Sequence, residues 1–422
     1  MITEEQRMVL EAVAALGALG CWWWSLRRLR RARLIADLPT VTTAGAYVGV
    51  LELNGTIELL TEVWGHLSGK AGAWMSWSIE EEWRKTETYQ NSKGETRTRT
   101  TSGWTTIDSG GASERFLIRD AQGAVAVEPA GAEVTATTTV NWQVHRSDDR
   151  YWQFGPAHEI SHSTGHRRFS ETMLLPGSSL WLLGHARVTA EGDAVEIAAE
   201  PTCPDYLLSV RGEDAARSSA VWAWTLALLG ALLLAGGCGW ILGEERGLLA
   251  ALLIQGGLWT MGWVVVATNS LIALRQRVMQ ALANIEVELQ RRADLIPPLV
   301  AALQGLQGHE REVQTLIATL RSQAQATLPG QPGPDPQAVR VLVERYPDLV
   351  ASASTARLMA ELTRTEDRIA LARGFASEVG TALNTRLEAI PDGWIARLAG
   401  CRPVPLFQAD GFTRRVPVVT LV

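Results

Sequence analysis

Three long apolar stretches divide an otherwise mixed chain of 422 residues. The first, Met8 to Leu26, is about as long as a bilayer's hydrocarbon core requires; it carries Glu11 near one end and Trp22-Trp23-Trp24 near the other. The basic run "RRLRRAR", Arg27 to Arg33, follows at once. A signal peptide has its basic region first and a small-residue cleavage site last, the reverse of this order. The alternative is an amphipathic surface helix, which the apolar residues disfavour because they surround the helix instead of forming one face. The reading is a retained anchor with residues 1–7 outside and a basic juxtamembrane segment, 27–40, in the cytoplasm.

The other two stretches, 220–242 and 248–268, contain one notably polar residue, Gln255. "GEERG", Gly243 to Gly247, joins them as a tight turn. Arg211 and Arg217 precede the pair, while Arg275 and Arg277 follow it. Positive charge stays inside, so the turn is predicted outside and both large flanking regions cytoplasmic.

Between the first two stretches, residues 41–215 read as β-rich. "AYVGVLELNGTIELL" alternates around Asn54-Gly55, a dipeptide that predicts a hairpin turn. "AWMSWSIEEEW" sets Met75, Trp77 and Ile79 against Ser76, Ser78 and Glu80. "RFLIRDAQGAVAVEP" reads as two short strands about Gly123. "ETYQNSKGETRTRTTSGW" predicts a polar ribbon, wet on both faces, with its tip at Lys93-Gly94.

Residues 269–410 read as helical, followed by a tail, 411–422. No Pro or Gly interrupts Ala267 to Leu295, so a helix is predicted to continue out of the third span. Val278, Ile285 and Leu289, then Leu299, Leu303, Leu306, Val313, Leu316 and Leu320, form one helical stripe. Pro297-Pro298 permits a kink, and the Pro/Gly linker 327–337 ends the arm. A second stripe holds Leu358, Leu362, Ile369, Ala372, Phe375, Val379, Leu383 and Leu387. Two antiparallel arms with apolar seams predict an elongated bundle. Glu361, Arg364, Glu366, Asp367 and Arg368 read as its solvated, salt-bridged face. Gly256, Gly257 and Gly262 would permit close helix approach within the membrane, hence self-association.

Charge and cysteine usage narrow the picture. The net charge of -6 implies no nucleic-acid affinity. Cys21, Cys203, Cys238 and Cys401 lie too far apart for a C-x-x-C pair or a zinc-finger spacing. The 17 Trp outnumber Phe and Tyr together (6 and 5), and several stand beside the apolar stretches, as an interfacial aromatic belt requires.

One motif points elsewhere. "GPAHEISHSTGH" contains His158-Glu159-Ile160-Ser161-His162, the H-E-x-x-H of zinc proteases, with Gly165 at the extended pattern's glycine. The motif works only as a helix, where the two His lie one turn apart and the Glu acts as general base. On a strand they would stand about 13 Å apart, too far to share an ion. Ser163-Thr164-Gly165 would stop a helix early; the extended pattern's third His falls on Arg168, and His166 comes two residues early. The expectation is a polar loop or ribbon; the alternative is a membrane-anchored zinc metallohydrolase using His158, Glu159 and His162.

The C-terminal region resembles the LemA family of bacterial membrane proteins. The resemblance rests on "NSLIALRQRVMQALANIEVELQRRADLIPPLV", "HEREV", "YPDL" and "TEDRIALARGFASEVGTALNTRLEAIP", including Arg277, Asn284, Arg292, Glu366, Asn384, Arg386 and Pro391. It implies a membrane helix running into a cytoplasmic helical bundle and supplies no catalytic residues. The β-rich region resembles the GIDE domain of MULAN-type mitochondrial E3 ubiquitin ligases and their bacterial relatives, through "VGVLELNGTIE", "SGKAGAWMSWSIEEEW", "RFLIRDAQGAVAVEPAGAEV" and "MLLPGSSLWLLGHARV". In those ligases the activity belongs to a RING, which needs about eight closely spaced Cys/His ligands. Four scattered Cys do not supply them.

The expectation is therefore a multi-domain integral membrane protein, with a β-rich (α+β) GIDE-like domain and transmembrane helices running into an elongated all-α LemA-like bundle. It is expected in the bacterial inner membrane as a non-enzymatic, self-associating scaffold or adaptor in envelope organisation or stress response. Its expected partners are the lipid bilayer, further copies of itself and unidentified proteins, with no nucleic acid, cofactor or ubiquitin machinery.

Overall fold

The computed structural model describes residues 4–90, 96–189, 195–201, 203, 205–304, 353–398 and 400–405. Helix α1 (Glu4–Asp37) is followed by strands β1 (Thr40–Val41), β2 (Gly49–Leu59), β3 (Val63–Trp64), β4 (Ala71–Gly72), β5 (Trp74–Gln90), β6 (Thr96–Ser113), β7 (Phe116–Arg119), β8 (Ala124–Val127), β9 (Glu133–Thr135) and β10 (Thr137–His145). Short helix α2 (Asp149–Gln153) leads to β11 (Ser163–Leu174), β12 (Ser179–Val188), β13 (Val195–Ala198) and β14 (Leu207–Ser209). Helices α3 (Gly212–Gln304), α4 (Ala353–Glu388) and α5 (Asp392–Leu398) follow. The chain divides into two compact units, Thr40–Ala223 and the remainder, Met1–Pro39 with Trp224–Val422.

In the β unit, β2 pairs with β7, β7 with β8, β8 with β13, β13 with β12, and β12 returns to β2. These five strands close into a ring, which removes their free edges. Leu51, Leu53 and Ile57 of β2 point inward, with Ile118, Val127, Leu182 and Ile197 from the other strands; all are buried. The register explains why Asn54-Gly55 makes no hairpin. Both residues lie mid-strand in β2, paired with Trp181 and Leu180 of β12. A Cβ on Gly55 would stand 2.6 Å from the Arg119 carbonyl oxygen, so this glycine serves close strand approach inside the ring, not a turn.

The second sheet is antiparallel, in the order β10-β11-β5-β6. Its core face gathers Leu67, Ile79, Val140, Val144, Tyr151 and Phe169. Beyond Arg84, β5 and β6 continue as the exposed ribbon expected from their Thr/Arg/Glu alternation. Its Lys93-Gly94 tip lies outside the described residues. The two strands about Gly123 form as expected, as β7 and β8.

In the helical unit, α1 continues past the apolar stretch to Asp37. The juxtamembrane arginines are good helix formers, and no helix breaker occurs before Pro39. Met8–Asp37 and Gly212–Leu295 are the two described helical segments long and apolar enough to cross a membrane. Within α3 the backbone leaves helical geometry at Gly243 and Glu244. There the helix folds back: a Cβ on Gly239 would run into the Gly247 carbonyl oxygen, and one on Gly236 would lie 3.1 Å from Leu248. Trp224 stacks on Trp259 at 6.5 Å farther along the same pair. Helix α1 lies alongside both limbs. Gly17 faces Leu234 and Cys21 faces Gly230, while Gly262 gives way to the Leu26 side chain. The close approach at Gly262 is thus used within the chain; Gly256 and Gly257 have open space beside them.

Leu271, Leu274, Val278, Ala281 and Ile285 of α3 are buried, as are Leu362, Ile369, Phe375, Val379 and Leu383 of α4. The helix from the third apolar stretch runs on without a break and accommodates Pro297 and Pro298. The stripe positions Leu306 to Leu320, the 327–337 linker, "HEREV", "YPDL" and the 411–422 tail lie outside the described residues.

Candidate functional site

His158, Glu159 and His162 are on no helix: α2 ends at Gln153, and β11 begins at Ser163. His158 and His162 are exposed, and His162 has a left-handed backbone with φ of 64°. The spacing that lets one helical turn present two imidazoles to an ion is therefore missing. Among the described residues no group of three or more His, Cys, Asp or Glu is arranged to hold a metal.

A different residue organises this loop. Alternation along β5 puts Trp77, Ile79 and Glu81 on the core face, so the middle glutamate of Glu80-Glu81-Glu82 points inward. Arg167 sits directly opposite on β11. Both side chains are wholly buried, and Arg167 donates through Nε and Nη2 to Glu81 Oε2 at 3.0 Å. The remaining guanidinium protons reach main-chain carbonyls: Nη1 donates to Tyr151 O at 2.8 Å and Pro156 O at 3.0 Å, and Nη2 to His158 O at 3.0 Å. The guanidinium also lies over the Tyr151 ring, 4.0 Å from its centroid. A Cβ on Gly155 would collide with Nη1, which accounts for glycine there. Tyr151 Oη shares its single proton between Glu81 and Glu159, 3.2 Å from each, and the Ile160 N–H donates to Glu81 at 3.3 Å. Burial pushes the Tyr151 hydroxyl up to about 12, so it remains a donor across the physiological range. The polar groups of the zincin-like stretch thus help satisfy a buried ion pair, as a charge removed from water requires.

His166 stands apart on β11, its Nδ1 3.7 Å from Glu82, with its ring edge-on to His145 at 5.0 Å. Glu171, also on the core face, accepts from the Leu67 N–H and the Thr139 hydroxyl, each at 2.7 Å. Burial works against its charge, but these hydrogen bonds hold the carboxyl below its ordinary range. On the outer face of the ring, Glu52 is fully buried; Thr40 donates to its Oε1 at 2.7 Å, and no hydrogen bond of good geometry reaches Oε2. Burial pushes Glu52 up to about 7, against the pull of the neighbouring Trp181 and Thr40 side chains.

The helical unit has its own charged centre. Arg33 of α1 donates to both oxygens of Asp392 in α5, at 3.1 and 3.3 Å. Arg386 of α4 donates to both oxygens of Asp37 in α1, at 2.8 to 3.0 Å, and also to Asp392. Farther along, Arg291 pairs with Glu361, Arg292 with Glu366, and Arg368 with Glu288. The face holding Glu361, Glu366 and Arg368 is salt-bridged as expected, but its partners lie across the seam on α3. The Asn384 amide donates to Val404 O at 2.9 Å and accepts from its N–H at 3.0 Å, holding the chain after α5 against α4.

Comparison with known families gives two matches, whose bounds differ from those of the two units. The model of the LemA family matches residues 281–421. The GIDE model, described as E3 ubiquitin ligase, matches residues 84–241. The chain joins a LemA region to a GIDE region. No curated protein matches it. The LemA match contains Arg386 and Asp392, half of the charged centre, and leaves out Arg33 and Asp37 of α1. The GIDE match contains Arg167 and the zincin-like loop, and it begins just after Glu81. The lock between α1 and α4 escaped sequence reasoning because its members stand far apart in the chain. Arg386 had already stood out in the LemA-like pattern. The Glu81–Arg167 pair was within reach: extending the β5 alternation by one step puts Glu81 on the buried face.

Proposed function

We propose that the chain is a non-enzymatic, LemA-type membrane scaffold that crosses the bacterial inner membrane three times. Its N-terminus and the Gly243-Glu244 turn lie outside, and the GIDE and LemA regions both lie in the cytoplasm. It associates with further copies and with protein partners in envelope organisation or stress response. The observation that carries this reading is the paired lock, Arg33 to Asp392 and Arg386 to Asp37. Through it the helix leaving the membrane is fixed to the cytoplasmic arm by charge-assisted hydrogen bonds, as a scaffold that holds its binding surface in one orientation needs. The fold-back of α3 and the arginines flanking it support the topology. The structural use of Glu159 and of the His158 carbonyl gives the metallohydrolase reading no support. The ligase activity attached to the GIDE name is not carried over, because fold kinship does not carry chemistry.

Crosslinking in native membranes followed by affinity capture of the full chain tests this reading. Recovery of the chain crosslinked to itself or to discrete partner proteins is expected. A single monomeric mass in mild detergent, with no crosslinked species, would remove both the self-association and the scaffold role.

A further inference from the structure

A cavity of about 220 Å³ lies between α1 and α3, just beyond their apolar stretches. Arg30 stands four residues past Leu26, and Asn269 is the first residue after the 248–268 stretch. Leu26 meets Gly262 immediately before this level, and Arg33 covers the Trp263 ring at 5.5 Å. If the two helices span a bilayer, the cavity sits in its cytoplasmic headgroup layer, among the Arg and Trp residues that favour that layer.

The lining is divided. Arg30, Arg277 and Asn269 supply donors, while Leu34, Val266 and Ala273 form an apolar wall. One carboxylate, Asp37, also lines the cavity; Arg386 bonds both of its oxygens, and the charge of Arg277 acts on it as well, so two arginines of the lining stand against one carboxylate. The lining therefore keeps an excess of positive charge. The volume is below the roughly 300–1,000 Å³ of pockets that enclose a drug-sized ligand, so it fits one anionic group with the rest of the ligand outside. Guanidinium groups match phosphate oxygens in plane and charge.

We propose that this cavity seats the phosphate of an anionic phospholipid, with Arg30 as its ligand, Arg277 adding positive charge beside it, and the Leu34–Val266–Ala273 wall along the start of the acyl chains. The basic run as a whole still serves topology; the cavity singles out Arg30 from it. Arg28, by contrast, lies over the Trp24 ring at 5.1 Å and lines no part of the cavity. The inference rests on the reading of α1 and α3 as membrane spans.

The test uses the full chain, delipidated in a zwitterionic detergent, with binding read by native mass spectrometry. The probes are dioctanoyl phosphatidylglycerol, dioctanoyl phosphatidylcholine and inorganic phosphate. Phosphatidylglycerol is expected to bind, and Arg30→Gln is expected to weaken it about fivefold. Ala273→Phe, which fills the cavity and leaves every charge in place, is expected to weaken it as much, whereas Arg28→Gln leaves it unchanged. Equal affinity for phosphatidylcholine, equal loss in Arg28→Gln, or no loss in either cavity variant would overturn the proposal. Inorganic phosphate displacing the lipid at matching concentration would also overturn it, by assigning the cavity to free phosphate. Recovery of the protein from the soluble fraction of cells contradicts the spans themselves, whereas membrane-embedded protein with flat lipid preferences contradicts only the cavity.

Discussion

Glu81 and Arg167 face each other across β5 and β11 with neither side chain touching solvent, 3.0 Å apart. Removing one member strands a charge in the core, which costs about 3–5 kcal/mol, whereas replacing both with apolar groups is often neutral. Arg167→Met is therefore expected to destabilise the GIDE region by that amount. Arg167→Met with Glu81→Leu is expected to recover most of the loss, yet leave the carbonyls of Tyr151, Pro156 and His158 without their donor. Urea denaturation measures the first effect, and hydrogen exchange of residues 154–162 the second. A single variant as stable as the wild type would contradict this account of the loop.

The zincin-like letters carry a separate expectation. Untagged protein is expected to contain no stoichiometric zinc, and His158→Ala with His162→Ala to change neither metal content nor stability by more than about 0.5 kcal/mol, the usual range for exposed positions. Elemental analysis decides it. One zinc per chain, lost in the double variant, would restore the metallohydrolase.

Glu52 gives the β unit a pH dependence. Its folded value of about 7 lies above the ordinary 4.5, so the folded state holds the proton more tightly. Stability from this group is fully present below pH 4.5, declines as pH rises, and is lost above 7. The loss is on the order of 3 kcal/mol. Glu52→Gln should flatten the decline and stabilise the protein at pH 8, read as slower hydrogen exchange in β2 and β12. An unchanged pH profile would show that Glu52 titrates normally.

Long-period patterns were legible in the sequence, and close contacts were not. The apolar stretches, the exposed ribbon and the two buried stripes of α3 and α4 follow from repeating polarity, which hydrophobic burial enforces residue after residue. Asn54-Gly55 misled because a hairpin turn and a tight strand crossing both require glycine; only the register shows the Arg119 carbonyl approaching Gly55. Gly262 marked a close helix approach as expected, but a small residue does not name its partner, which is Leu26. Ser163-Thr164-Gly165 did point to a loop instead of a helix at His158 and His162. The sequence could not show that Arg167 holds that loop, because the bonds run to main-chain oxygens, which leave no trace in residue identity.

The central claim is that both folded regions lie on the cytoplasmic face of a membrane crossed three times. Single cysteines placed in a cysteine-free chain, at Glu245 in the α3 turn, Thr86 in the ribbon and Glu378 in α4, test it with a membrane-impermeant maleimide. In intact cells with an accessible inner membrane, Glu245→Cys is expected to label, and Thr86→Cys and Glu378→Cys only after the membrane is opened. Labelling of Thr86→Cys or Glu378→Cys from outside, or protection of Glu245→Cys, would contradict the account.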